Sequence, residues 1–461
     1  MPANPYELRQ LKSLRECCYN RGMSLDPVNL LQRLIATPSV NPMGRPLSQP
    51  TQGETRMTDL LQSVCEQQGW PWLRQQVHEE RENLVALVPG QPPPADGGEL
   101  LLWDVHQDTV PVDGMTVAPF GGELRDGRVY GRGACDVKGA MAAMVGALSR
   151  VSAGKDRQGE PSLATASPER PGPSLQRRGN GLRRPTVVLA CTVNEECGFT
   201  GATALCDLWN PERSGAAAIS TGNCSAQQIF PRPPDAAIVA EPTQFKVVVA
   251  HHGVVRWRCH TIGRAAHTSR PDEGVNAIYA MARVVAAIER FHVLLQQAAA
   301  HPLCGRPSVC VSTIHGGVGV NTVPERATIE IDRRLGPNDR PEPAYNELIE
   351  YIRQQVDVGR CLVEHDPPFM RSFGLSDGAN RAVAERVATI ARECGRASEL
   401  IGVPFGTDAA ALSAAGVPTV VVGPGSIAQA HTANEFIEME ELKLGEEMFY
   451  RIACEGVGAG I

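Results

Sequence analysis

Hydrophobic and polar positions alternate along this chain in two distinct rhythms. Val28, Leu31 and Ile35 fall on one face of a helix that Asp26 and Pro27 open as N-cap and first helical residue. Met57, Leu60, Leu61, Val64 and Cys65 recur at i, i+3, i+4, i+7 and i+8, and Gly69 stands where a left-handed stop is wanted. The second rhythm is a set of short, nearly continuous apolar runs: 84–88, 100–105, 187–193, 236–240 and 419–422. Runs rich in Val, Leu and Ile and separated by helical patterns predict strands buried on both faces of a largely parallel sheet, hence an α/β fold. His106, Glu195, Glu196 and Glu241 all fall just after the C-terminal ends of these runs, where open α/β sheets place ligand sites.

From Phe245 to about Asp366 the pattern changes. It alternates around 247–262, turns helical from Val275 to Phe291, and then gives strands near 308–315 and 326–335, a helix near 342–356 and a strand near 361–365. That order, βαββαβ, predicts a small ferredoxin-like domain with helices on one face of an antiparallel sheet. The division expected is therefore 24–244 and 367–461 as two parts of one domain, with 245–366 inserted between them.

Composition changes this picture little. At 461 residues the chain exceeds what one core usually supports, and 42% hydrophobic with 21% charged residues suits a globular protein. A net charge of −7 leaves no basic footprint for nucleic acid, and no apolar run approaches the roughly 20 residues that span a bilayer. The first 25 residues lack the apolar stretch of a signal peptide, so the expected location is the cytoplasm. The fourteen cysteines are scattered without C-x-x-C spacing and read as reduced thiols. Met23 stands just ahead of the first helix, which makes the residues before it an appendage or a misassigned start. Residues 151–185, rich in Pro, Gly, Ser and Arg, read as a disordered surface insertion.

Candidate chemistry lies at the ends of the runs. In His106-Gln107-Asp108, a neutral imidazole would bind a metal while the nearby carboxylate fixes its tautomer. Asp136, in Gly131–Gly139 ahead of an Ala- and Met-rich helix, either bridges two cations with its two oxygens or caps that helix; the local pattern leans toward capping. Glu195 and Glu196 are adjacent on an extended segment, so one can face a metal while the other serves as general base. Glu241 and His431 complete five N and O donors with one carboxylate left over, the inventory of a two-metal hydrolase. Such a donor set without Cys favours zinc, with cobalt or manganese not excluded by donor type.

Taken together, HQDTVP at 106–111, GRGACDVKG at 131–139, NEECG at 194–198, EPT at 241–243, AAHTSRPDEGVNAI at 265–278, GGVGVNTVP at 316–324, GTDAA at 406–410 and AHTANE at 430–435 resemble, in order and over nearly the whole chain, the family of acetylornithine deacetylase, succinyl-diaminopimelate desuccinylase, aminoacylase and glutamate carboxypeptidase. The resemblance implies one zinc held by His106, Asp136 and Glu241 and another by Asp136, Glu196 and His431. It implies Glu195 as general base, with Asp108 and His267 completing the catalytic set. It also implies a substrate α-carboxylate held by Asn321 and by Arg334, chosen over Arg333 because it lies two positions after Asp332. The inserted domain becomes a lid through which a homodimer forms, with His267 often supplied by the partner subunit. Two departures stand out: Trp103-Asp104-Val105 ahead of His106, where a smaller turn is expected, and a longer insertion at 151–185.

The activity implied is hydrolysis of the amide of a small N-acyl amino acid. Gly423-Pro424-Gly425 leading to Gln429-Ala430-His431 leans toward acetylornithine deacetylase, a step in amino-acid biosynthesis. Succinyl-diaminopimelate desuccinylase, aminoacylase and carboxypeptidase activities are the alternatives, and an inactive metal-binding dimer is the reading from another class. That last reading expects a lost base or ligand, and all six positions are present.

Overall fold

The computed structural model describes residues 24–154, 183–210 and 218–458. The segment before Met23 and most of the 151–185 insertion lie outside the described residues; positions 151 and 152 close the helix Lys138–Ser152.

The first described helix, Pro27–Ile35, starts as its sequence predicts, with Asp26 accepting the Asn29 N–H at 2.8 Å. Thr55–Gln68 ends at Gly69, whose φ of 71° lets the chain turn without a Cβ penalty. In chain order the first strands are β1 (Trp72–His78), β2 (Arg81–Val88), β3 (Leu100–His106), β4 (Glu123–Arg125) and β5 (Arg128–Tyr130). Next come β6 (Thr186–Thr192), β7 (Ile219–Gly222), β8 (Ala236–Val239), β9 (Val247–His251) and β10 (Gly253–Ile262). β11 (Ala266–His267), β12 (Ser308–Gly316), β13 (Thr322–Val323), β14 (Arg326–Leu335), β15 (Leu362–His365) and β16 (Met370–Ser372) follow. The last are β17 (Leu400–Val403), β18 (Thr419–Val421) and β19 (Phe436–Glu438).

Among the described residues, nine strands form the large sheet in the order β17-β9-β18-β8-β3-β6-β2-β1-β7. Its centre, β18-β8-β3-β6, is parallel, while β2, β1 and β7 continue it antiparallel on one side and β9 joins antiparallel on the other. All five apolar runs lie in this sheet. β3 and β6 are buried at every position because helices cover both faces. One face packs on the helix Lys138–Ser152, itself buried nearly all round, and on Met439–Glu455. Trp103, an unexpected bulky residue before His106, fills this layer with its ring 5.3 Å from that of Phe449.

The smaller sheet runs β12-β14-β10-β15, with β16 also on β10. Helices Ala277–Leu295 and Pro341–Gln355 cover one face, giving the βαββαβ order. Along β14, Ala327, Ile329 and Ile331 are buried under them while the residues between are partly exposed. The alternation predicted over 247–262 proves to be two strands broken at His252: β9 belongs to the large sheet and β10 to the small one. Gly253 and Gly374 sit where the chain passes between the sheets. A Cβ on Gly253 would meet Ser372 O at 2.7 Å, and one on Gly374 would meet His251 O at 2.7 Å.

Candidate metal centre

Parallel strands deliver their C-terminal ends to one edge, and the register of this sheet gathers the reactive residues there. His106 closes β3 opposite Thr192, the last residue of β6, so Glu195 and Glu196 emerge beside it. β8 lies on the other side of β3 and runs straight into Glu241. Asp136 arrives from a separate loop, and His431 from the long connection after β18.

Two clusters result, one of His106, Asp136 and Glu241 and one of Asp136, Glu196 and His431; within each, one potential ligand atom per residue lies within 4.8 Å of the others. Asp136 belongs to both and divides its oxygens between them. Oδ1 is 3.2 Å from His106 Nε2, and Oδ2 is 3.3 Å from His431 Nε2. Nε2 of His431 is also 3.2 Å from Glu196 Oε2. The helix-capping alternative for Asp136 is not what the structure adopts. The N-cap is Val137, and no side-chain capping bond is made there.

The donor chemistry fits a pair of divalent cations. Every donor is an imidazole nitrogen or a carboxylate oxygen, and Glu196 Oε1 is buried without a hydrogen-bond partner. Burial, and then the Glu241 carboxylate, raise the Glu195 carboxyl well above its ordinary range. Glu241 is pushed up in the same way, by burial and then by Asp136. Burial opposes a charge on Asp136 too, but His106 and His431 overcome it and hold this carboxyl below its usual value. Asp136 and then Glu196 raise the His431 imidazole to about 10. So much crowded negative charge, drawn out of water, is what a cation relieves.

Beneath these residues lie further buried carboxylates outside both clusters. His106 donates Nδ1–H to the backbone carbonyl of Asp108 at 2.9 Å, while its nearer carboxylate oxygen is 3.7 Å away. The tautomer is thus fixed by the carbonyl rather than by the carboxylate. The Asp108 carboxylate instead accepts the backbone N–H groups of Glu195 and Glu196, both at 3.1 Å, and Asn41 Nδ2 at 2.7 Å. Glu435 accepts from the backbone of Cys135 (2.9 Å), Asp136 (3.0 Å) and Gly133 (3.2 Å), and from Arg132 Nη1 at 2.6 Å. The sequence reading assigned nothing to Glu435, although AHTANE contains it. It also missed Asp104 and Asp408, which share the hydroxyl of Thr192 at 2.8 and 3.0 Å directly below His106. Burial pushes the Asp104 carboxyl up to about 7. Strand patterning alone cannot reveal Asp104, because an acid inside a buried run looks like a break in the run, and Asp408 stands at the start of the helix Ala409–Ala414, outside any run.

The three remaining predicted residues stand apart. His267 lies on β11 of the β11–β13 ribbon and Asn321 immediately precedes β13, with Thr268 N–H donating to the Asn321 carbonyl at 3.1 Å. His267 Nδ1 pairs with Ser269 Oγ at 2.8 Å. Arg334 Nε is paired with Asp332 Oδ1 at 2.8 Å. Among the described residues, no hydrogen bond or ion pair joins any of the three to the two clusters.

Residues 102–165 match the peptidase family M20/M25/M40, and residues 249–359 match a peptidase dimerisation domain. The chain is similar to an acetylornithine deacetylase of Myxococcus xanthus, 28% identical over 87% of this chain and 92% of the other. Its fold is shared by an M20-family metallo-carboxypeptidase of Sulfolobus solfataricus, 16% identical with a TM-score of 0.65 over 93% of this chain and 99% of the other. Human carnosine dipeptidase 1 shares it too, at 14% identity and a TM-score of 0.65 over 99% of each chain. Two matched segments, a relative aligned along most of its length and a shared fold make the chain similar to members of the M20/M25/M40 peptidase family.

Proposed function

We propose that the chain is a metal-dependent deacylase that cleaves the amide of an N-acyl amino acid, with N-acetylornithine as its preferred substrate. His106, Asp136 and Glu241 would hold one cation, and Asp136, Glu196 and His431 the other. The observation that carries this reading is Asp136, whose two oxygens face two separate donor clusters. Zinc suits these ligands best, with cobalt as a working substitute. When bound, such a pair supplies Lewis-acid polarisation of the amide carbonyl and lowers the pKa of a water molecule.

The remaining work falls to the side chains of the protein. Glu195, buried and with its carboxyl raised by that burial and by Glu241, takes the proton of the attacking water and returns it to the leaving amine. His267 supports the oxyanion, and Arg334 with Asn321 hold the α-carboxylate once the small-sheet unit, residues 253–372, closes as a lid. Arg334 then exchanges or shares its bond to Asp332. The preference for acetylornithine is supported by relatives of that name in several bacteria. The reading includes a homodimer through the lid and a cytoplasmic location. Among the described residues no two cysteines form a disulfide, in keeping with a reducing compartment.

The deciding experiment strips the protein with a chelator, restores it with zinc or cobalt, and assays acetylornithine, succinyl-diaminopimelate, other acyl amino acids and a dipeptide. Activity is expected to vanish and return with two cations per chain, highest on acetylornithine. Full loading without hydrolysis of any of these amides would sink the proposal.

A further inference from the structure

We propose that Asp108 and Glu435 are positioning residues that set the geometry of the metal centre by gripping the backbone of the loops that carry its acids. The proposal rests on the metal-centre reading above and adds two residues that lie in neither donor cluster.

Each clamp follows a candidate histidine ligand in sequence: Asp108 comes two residues after His106, and Glu435 four after His431. Each accepts consecutive backbone N–H groups from a distant loop. Asp108 spans the amides of Glu195 and Glu196 with one oxygen on each, and Glu435 takes those of Cys135 and Asp136 on Oε1. Both carboxylates are buried, Asp108 1% and Glu435 0% exposed. The surroundings aim them. β19 pairs with β5 through Phe436 and Tyr130, and Gly131 donates its N–H to the Glu435 carbonyl at 3.1 Å, which brings Glu435 under the Asp136 loop. Val40 bridges to Thr109, which places Asn41 on the far oxygen of Asp108. In each case a histidine-bearing segment is therefore tied to an acid-bearing one by bonds to main chain, which fix where the acids emerge without consuming their oxygens. Charged acceptors make such bonds strong, and their desolvation makes them specific.

An amide cannot replace either clamp. In Glu435→Gln, whichever way the group turns, its NH2 faces donors, either Cys135 and Asp136 or Gly133 and Arg132. In Asp108→Asn the NH2 confronts Glu195 N–H on one side, or Glu196 N–H and Asn41 on the other. Shape is kept while one set of bonds is inverted.

The test loads wild type and both variants with cobalt, recording affinity by competition with a chromophoric chelator, the visible absorption of bound cobalt, thermal unfolding, and kcat and KM. Both variants are expected to show an altered cobalt spectrum at saturation. Glu435→Gln should bind at least one cation about 10–100-fold more weakly, and Asp108→Asn should lose about 10–100-fold in kcat with KM little changed. Val387→Ala, a core change far from the centre, is the stability control and should lower the unfolding temperature with an unchanged spectrum. Variants that only lose unfolding temperature, keeping wild-type spectrum and affinity, would overturn the proposal. Should an amide variant not fold, Asn41→Ser and Arg132→Lys loosen the same carboxylates from behind, and an unchanged spectrum in both overturns it equally. Wild type that binds cobalt but cleaves no acyl amino acid refutes the substrate reading and leaves the spectral comparison intact. Wild type that binds no cobalt refutes both.

Discussion

At the scale of single residues, Glu195 and Asp136 are both buried acids within one site, and their surroundings separate their tasks. Asp136 has a histidine on each oxygen and stays ionised, whereas Glu195 is raised by burial and by Glu241 and so can carry a proton. Glu195→Gln should retain two cations per chain and lose at least about 100-fold in kcat, the usual contribution of a general base. Asp136→Asn should lose cations as well, because one of its two shared oxygens becomes a donor. Metal content and kcat measured on both variants separate the roles, and substantial turnover by the Glu195 variant would remove it as base. The six candidate residues could be singled out from the sequence because each follows an apolar run or lies in a glycine-containing loop. Their supports were not. A buried carboxylate such as Glu435 that accepts main-chain N–H groups 300 residues away leaves no spacing to find.

At the scale of elements, helices and central strands were legible for a plain reason: burial on both faces writes an unbroken apolar run, as in β3 and β6. The side of the large sheet near its edge was not, since β1, next to the outermost β7, reads WLRQQVH and buries only three of its seven residues. The break at His252 also escaped notice, because an alternating strand continues to alternate when it changes sheets. Two histidines mark these strands energetically. Burial pushes His251 on β9 to about 4, and burial with the nearby His260 pushes His365 on β15 to about 4, where it accepts the Trp257 Nε1–H at 3.1 Å. Both folded values lie below the ordinary 6.5, so on acidification the unfolded chain takes up protons first. Their stabilisation is full above about pH 6.5 and is lost as pH falls toward 4. From pH 7 to 5 each should cost roughly 2 kcal/mol, less for the partly exposed His365. His365→Gln keeps an acceptor for Trp257 and should flatten the pH dependence of the urea midpoint over that interval. An unchanged slope would place the sensitivity elsewhere.

At the scale of the whole molecule, the groups proposed to bind substrate and those proposed to bind metal stand on different sheets, linked through His252 and the return past Gly374. Arg334 would meet the α-carboxylate only on closure. Arg334→Ala should raise KM for acyl amino acids by about 10–100-fold, as loss of a charge-assisted bond does, while leaving the matching acyl amine without a carboxylate unaffected. His267 raises a further matter, because it lies on an exposed ribbon of the segment matched to a dimerisation domain. If the partner subunit supplies this histidine, two inactive chains can repair each other. Mixed and reassociated, Glu195→Gln and His267→Ala would form heterodimers in half of the pairings, each with one site holding an intact Glu195 and an intact histidine from across the interface. The mixture should then recover about a quarter of wild-type activity. Were the histidine to act within its own chain, each site of the heterodimer would lack one group or the other, and the mixture would stay as inactive as its components.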